Sequence, residues 1–223
     1  MDDAVDAYRQ ALNIAPSNVR VLNNLAVARW ETGAFREAAA AFRRIMETNP
    51  DDPFAEQNLA TALFYQGEFA EAAELFGRAQ ARYPDDMEVS LFLGDAQWWA
   101  PGQRERARTS YRAGIEAAHR QLSVARSPDV LGALAIAHAR LGARDSALFY
   151  LDAFVALRDP DEVDAIRAFG VGEVYEALGE RESARRWIQS ALDRDYGAVT
   201  LDHSPWLRSL RDAIRPARST PPS

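Results

Sequence analysis

An all-α solenoid, built of antiparallel helix pairs laid side by side and closed by a C-terminal capping helix, is the fold this sequence predicts. Three observations predict it. The chain repeats itself at a fixed step, each repeat carries apolar residues at helical spacing, and glycine and proline punctuate the repeats at matching places. The step is 34 residues: Ala4, Ala38 and Ala72 coincide under it, as do Tyr8, Phe42 and Phe76, Pro16, Pro50 and Pro84, and Leu25, Leu59 and Leu93. The phrase "WETGAFREAAAAF" at 30–42 returns as "FYQGEFAEAAELF" at 64–76 and, blurred, as "YEALGERESARRW" at 175–187. A fixed period of this size means stacked supersecondary units, each burying its apolar face against the next.

The elements follow in order. Residues 1–17 read as a half repeat that opens in a second helix, with Ala4, Tyr8, Ala11 and Leu12 lacking the first helix they should pack on. In the unit at 18–51, Leu22, Leu25, Ala26 and Arg29 trace the first helix. Ala38, Phe42 and Ile45 step by four and three along the second, the face of an amphipathic helix. Gly33 stands between them, where a helix needs a residue tolerant of positive φ in order to end and turn. Pro50 stops the second helix. The small Ala38 and Ala72 let two helix backbones approach closely.

The unit at 52–85 repeats this plan with Leu59, Ala60, Gly67, Ala72, Phe76, Ala79 and Pro84. In the unit at 86–127 the register slips after Leu93. The chain turns at Pro101-Gly102, and Ala107, Tyr111, Ile115, Ala118, Leu122 and Ala125 keep one face apolar over a second helix about two turns longer than its predecessors. The units at 128–160 and 161–198 are divergent copies in which Leu134-Ala135, Gly142 and Ala147 match Val171-Gly172, Gly179 and Ala184. Residues 199–215 predict a capping helix, with Trp206, Leu207 and Leu210 covering the last repeat, as terminal repeats require. Residues 216–223 have too little to bury and predict a disordered tail.

The set Leu25-Ala26, Gly33, Ala38, Phe42 and Pro50, with its echoes, resembles the tetratricopeptide repeat. That resemblance implies a right-handed superhelical solenoid whose concave surface, lined by the first helix of each unit, binds an extended peptide or a partner helix. The unit with the long second helix and the closing "SPWLRSLRD" resemble repeat arrays attached to bacterial serine/threonine kinases and other signalling proteins. The chain has no kinase motif, so any such enzyme would lie upstream of it.

Composition removes several chemistries. The chain has 223 residues, 48 % of them apolar, and a net charge of −7, which gives no whole-molecule attraction to nucleic acid or anionic lipid. Every basic residue apart from the histidines is arginine, which excludes lysine nucleophiles, Schiff bases and P-loop lysines. With no cysteine, disulfides and thiolate metal sites are excluded too. No apolar run reaches the roughly 18 residues a membrane span needs. The acidic start "MDDAVDAYRQ" is not a secretory signal, so the expected location is the cytoplasm if Met1 is native, or outside it if the chain is an exported fragment of a longer precursor.

His119, His138 and His203 lack a partner at metal-ligand spacing and read as structural or surface residues. Asp202-His203-Ser204 are neighbours in sequence, which triad members rarely are. Gly170-Val171-Gly172 lies in a predicted helix with no strand before it, so its glycines read as packing residues rather than a dinucleotide loop. Asp159, Asp161, Glu162 and Asp164 lack calcium-loop spacing and suit a helix start. No enzyme, metal or cofactor is expected.

Two surfaces remain. On the concave side the register lines up Asn23, Val27 and Trp30, then Gln57, Thr61 and Phe64, then Leu91, Asp95 and Trp98, with Phe54, Tyr65 and Trp99 beside them. This aromatic ladder suits a protein-binding groove, because Trp and Tyr often carry most of the energy of such contacts; the same rings would equally serve to pack one repeat on the next. Chaperone-binding members of the family hold a terminal carboxylate with Lys, Arg and Asn here. Asn23 and Asn58 match the amides, while Phe54 and Glu88 stand where cations are wanted. At the start of the chain, Ala4, Tyr8, Ala11 and Leu12 form an uncovered face that could dock on another copy head-to-tail, giving a ring or filament. The expected function is a protein-interaction scaffold, with a self-assembling structural protein as the alternative.

Overall fold

The computed structural model describes residues 2–50, 52–157 and 164–215. The predicted tail at 216–223 and the acids Asp159, Asp161 and Glu162 lie outside the described residues. Among the described residues there are α-helices and a 3-10 turn but no strand, and no helix is long and apolar enough to cross a membrane.

The helices group into two units, Met1–Ala117 and Ala118–Ser223. In the first, α1 (Asp2–Ile14) precedes the pairs α2 (Val19–Glu31) with α3 (Phe35–Thr48) and α4 (Pro53–Gln66) with α5 (Phe69–Arg82), followed by α6 (Met87–Trp99) and the part of α7 (Arg104–Val124) up to Ala117. From α1 to α6 each helix packs on the next, and α4 also meets α6. In the second unit α8 (Pro128–Arg140) pairs with α9 (Arg144–Val155), and α10 (Ala165–Ala177) with α11 (Arg181–Leu192). The C-terminal cap comes as α12 (Ala198–His203), a 3-10 turn at Pro205–Leu207, and α13 (Arg208–Ile214). Pro205 opens the 3-10 turn, where its missing N–H leaves no bond unmade.

Each first helix begins at a polar cap. Asn18 Oδ1 accepts from Val21 N at 3.2 Å, Asp52 Oδ1 from Ala55 N at 2.9 Å, and Asp86 Oδ1 from Val89 N at 3.1 Å, so the caps themselves recur at the 34-residue step. Ser127 and Asp164 do the same for α8 and α10. Each such cap contributes about 1 kcal/mol and marks where the chain turns from one repeat into the next. At the other end of the first helix Gly33 and Gly67 take φ of 74° and 89°, a left-handed backbone that costs a side chain roughly 1–2 kcal/mol.

The repeating apolar positions form the core. Ala38, Ala72, Phe42, Phe76, Ile45 and Ala79 are all buried. The buried Glu56 carboxylate of α4 accepts from Arg78 Nε at 2.9 Å and Arg82 Nη1 at 3.1 Å, tying α4 to α5 while neutralising the charge. The second helix of the third pair, α7, spans 21 residues against 14 in α3 and α5, a difference of about two turns. Its Tyr111 is buried against Gly94, where a Cβ would lie 2.6 Å from the ring, and its hydroxyl donates to Asp95 at 2.6 Å. In the second unit Gly172 is likewise a close-packing glycine, since a Cβ there would meet Ile188 Cγ1 at 2.6 Å. Gly170 faces open space, so only one of the two predicted packing glycines packs.

Candidate protein-binding groove

Within the first unit, the first helices α2, α4 and α6 enclose a groove of about 360 Å³. Its walls carry Val27 and Trp30 from α2, Gln57, Asn58 and Thr61 from α4, and Glu88, Val89 and Phe92 from α6. Its floor is Phe42 of α3 and Phe76 of α5, both buried. Val27 is 45 % exposed and Phe92 40 %, so the groove presents apolar surface to solvent. Phe92 stacks on Phe76 with centroids 5.6 Å apart and planes 13° from parallel, which fixes its ring as a wall.

The polar groups of the groove are carboxamides and one hydroxyl. Thr61 donates to the Gln57 carbonyl at 2.9 Å, so its oxygen keeps acceptor capacity facing the groove. The side chains of Gln57 and Asn58 make no hydrogen bond among the described residues. Each carboxamide offers both a donor and an acceptor, the pair of functions an extended peptide backbone presents in reverse.

The predicted contact residues divide. The groove gathers Trp30, Gln57 and Thr61. Asn23 is exposed beyond the lining, and Phe54, 76 % exposed, stands outside it on the first turn of α4. Phe64, Tyr65 and Trp99 enter a run of rings between repeats. Trp30 meets Phe35 edge-on at 4.8 Å, Phe35 stacks on Tyr65 at 5.0 Å, Tyr65 meets Phe64 at 5.4 Å, Phe64 meets Phe69 at 5.5 Å, and Phe69 meets Trp99 at 6.0 Å. The ladder therefore runs through Phe35 and Phe69, the first residues of the second helices, rather than directly from Trp30 to Phe64 to Trp98. Trp98 lies under the Arg104 guanidinium at 5.3 Å, and Asp95 is engaged by Tyr111. In the sequence Asn58 stands as an amide of this face, whereas nothing in the concave register of Asn23, Gln57 and Leu91 marks Phe92. Its signal was the series Asn24, Asn58, Phe92, one residue beyond Asn23, Gln57 and Leu91.

At the N-terminal face, Leu12 is buried, whereas Ala4 is exposed and Tyr8 and Ala11 are half-buried.

Two histidines of the second unit, His119 and His138, sit around Tyr150. His119 Nε2 lies 2.9 Å from the Tyr150 hydroxyl, and the His138 ring stacks on Tyr150 at 5.5 Å. Burial, and then the nearby His119, hold His138 below the ordinary histidine range. His203 binds the Val199 carbonyl at 2.9 Å and Asp202 pairs with Arg215, an arrangement that turns both away from triad geometry with Ser204. Among the described residues no group of three or more His, Cys, Asp or Glu side chains could hold a metal ion.

Two family models described as tetratricopeptide repeat match this chain, over residues 1–62 and 58–118. Among solved structures, a thermophilic TPR protein of Thermus thermophilus superposes over 88 % of this chain and 96 % of its own at 23 % identity, with a TM-score of 0.60. Yeast Tom70 matches 96 % of this chain and 44 % of its own at 17 % identity, with a TM-score of 0.52. At these identities the likeness is one of fold. No curated protein matches the sequence.

Proposed function

Because the chain belongs to the tetratricopeptide repeat family, we propose that it is a non-catalytic scaffold that holds an extended segment of a partner protein in the groove across α2, α4 and α6. One observation carries this reading. Two large apolar side chains left open to solvent, Val27 on α2 and Phe92 on α6, both line this groove, above the buried rings of Phe42 and Phe76. Water is displaced from such a surface at a gain of about 25 cal/mol per Å² of apolar area covered. The free carboxamides of Gln57 and Asn58 supply the backbone contacts that give the ligand a register.

The test uses partners recovered by proximity labelling in the source cell and re-measured with purified components. Val27→Ala combined with Phe92→Ala removes the two exposed walls without touching the Trp30 ring cluster. We expect partner affinity to fall at least about tenfold, equivalent to roughly 1.4 kcal/mol. Unchanged affinity in a folded double variant would remove the groove from the function.

A second reading, self-association through α1, has its own observation. Ala38, Phe42 and Ile45 are buried in the interior repeat, yet their counterparts one step earlier, Ala4, Tyr8 and Ala11, are exposed or half-open. The same surface that α3 covers is thus available on α1, to a second copy or to a helix supplied by upstream chain. Leu12 contributes nothing to that docking face, being buried within its own unit. Sedimentation velocity on this chain should show concentration-dependent oligomers that Ala4→Arg abolishes; a strictly monomeric species at the highest attainable concentration ends this reading.

A further inference from the structure

We propose that the second unit carries a docking site of its own, built from other residues than the groove, for an acidic segment of a partner protein: an aspartate or glutamate, with an apolar residue beside it, seated between α11 and α13. The two helices pack on each other and leave an open cavity of about 550 Å³. Arg185 and Arg186 line it from α11, and Ala213 and Ile214 of α13 give it an apolar wall. Among the described residues Arg185 forms neither a hydrogen bond nor an ion pair, and the one hydrogen bond of Arg186 is to the Ser183 hydroxyl at 3.4 Å. Glu182, one turn earlier on the same helix, pairs with neither. Arg194 also lines the cavity but already interacts within the chain, so the cations left for a ligand are Arg185 and Arg186.

The surroundings leave that charge in place. The acid of the cavity, Asp193, accepts from Gln189 Nε2 at 2.8 Å and stands eight residues after Arg185, about 12 Å along the helix axis. On α13, Arg211 pairs with Asp212 and Arg215 with Asp202. Ser190 follows Arg186 by one turn, on the same face, and adds a hydroxyl donor. A planar guanidinium grips a carboxylate through two parallel N–H groups, so an oxyanion fits this end of the cavity better than a neutral group does. Arg185, Arg186 and Ala213 are exposed, whereas a small-molecule site encloses most of its ligand; a site this open holds one part of a larger body. An extended polyanion such as nucleic acid or an anionic membrane meets repulsion from the net charge of −7. A short acidic stretch on a protein answers mainly to charges within about 8–10 Å of it.

A phage-displayed library of random dodecapeptides tests the inference. It is first depleted on the Arg185→Glu/Arg186→Glu double variant, whose altered side chains are exposed and whose fold circular dichroism checks, and then panned on the intact chain. The peptides retained are measured by fluorescence anisotropy against the unchanged chain, Arg185→Gln/Arg186→Gln, and the folded Val27→Ala/Phe92→Ala variant. The expected result is enrichment for aspartate or glutamate next to an apolar residue, with affinity reduced about fivefold in the glutamine variant, less so as salt is raised, and unchanged in the groove variant. Survivors that are neutral or basic, acidic survivors indifferent to the glutamine variant, or no survivor at all overturn the site and leave the groove reading untouched. Acidic peptides lost in Val27→Ala/Phe92→Ala and kept in the glutamine variant place acid binding in the groove and overturn it as well.

Discussion

Replacing Phe76 with alanine is expected to cost about 3–5 kcal/mol and to loosen α4, α5 and α6 together. The ring is almost wholly buried at the third copy of the Tyr8, Phe42, Phe76 series, and it both fills the second helix of its repeat and supports Phe92 by stacking. Truncation removes the transfer energy of the ring and leaves a cavity that helices held on both sides cannot close. Because a repeat array is stabilised by nearest-neighbour interfaces, the loss should appear as reduced amide protection centred on α4 to α6 rather than spread evenly over the chain. Hydrogen exchange read by mass spectrometry measures it. The groove loses its floor in the same variant, so ligand affinity should fall with it. Protection within 1 kcal/mol of the unchanged chain, on the order of a single exposed contact, would mean that Phe76 is not the support assigned to it.

The second large effect is expected from Leu210→Asp. Leu210 is fully buried in a cluster with Leu201, Leu207, Ile188, Ala184, Ala191, Ala168 and Phe169, and Tyr175, Trp187, Leu192 and Ile214 pack around it. A carboxylate at that point would be surrounded by hydrocarbon, so the residue either carries an unpaired charge or takes up a proton, and both are costly. The penalty should be on the order of 5 kcal/mol or more, at or beyond the upper end of the roughly 2–5 kcal/mol expected of Leu210→Ala. The cap at α12 and α13 should separate from α11 and become the first site of protease cleavage, followed by loss of order in α10 and α11. Limited proteolysis with mass mapping, beside a circular dichroism melt, measures both stages. A variant that melts with the unchanged chain and resists cleavage within residues 198–214 would show that the cap does not protect the last pair.

Much of this architecture was legible residue by residue. Gly33 announced a left-handed turn because its place between two helical faces allows little else, and its φ of 74° is the expected one. The aromatic positions Phe42 and Phe76 announced the core by their spacing alone, while Tyr8, at the same place one step earlier, stays half-buried. Asn18, Asp52 and Asp86 also stand one step apart, and their capping role could have been read from the sequence in the same way. These features are local: a cap, a turn residue or a helical face needs only its own neighbours in sequence to be specified.

The groove was legible only in part. Trp30 and Phe64 hold the same place in consecutive repeats, yet Trp30 lines the groove and Phe64 is buried among Tyr65 and Phe69. By register Leu91 falls on the concave stripe, but its side chain lies 2.6 Å from where a Cβ on Gly114 would stand, while the next residue, Phe92, opens onto the groove. Periodicity assigns a residue to a helix face. Whether that face is covered depends on the bulk of side chains contributed by other helices.

The sequence by itself determined the helix pairs, their order and the places where the chain turns, because caps, glycines and apolar spacing act over a few residues. Only the tertiary structure decided which of those faces stayed open, joining Val27, Asn58, Glu88 and Phe92 in one groove and closing Phe64 and Leu12 off from solvent. The physical reason is that exposure belongs to no single residue: it is what remains after neighbouring helices have packed as densely as their side-chain volumes allow.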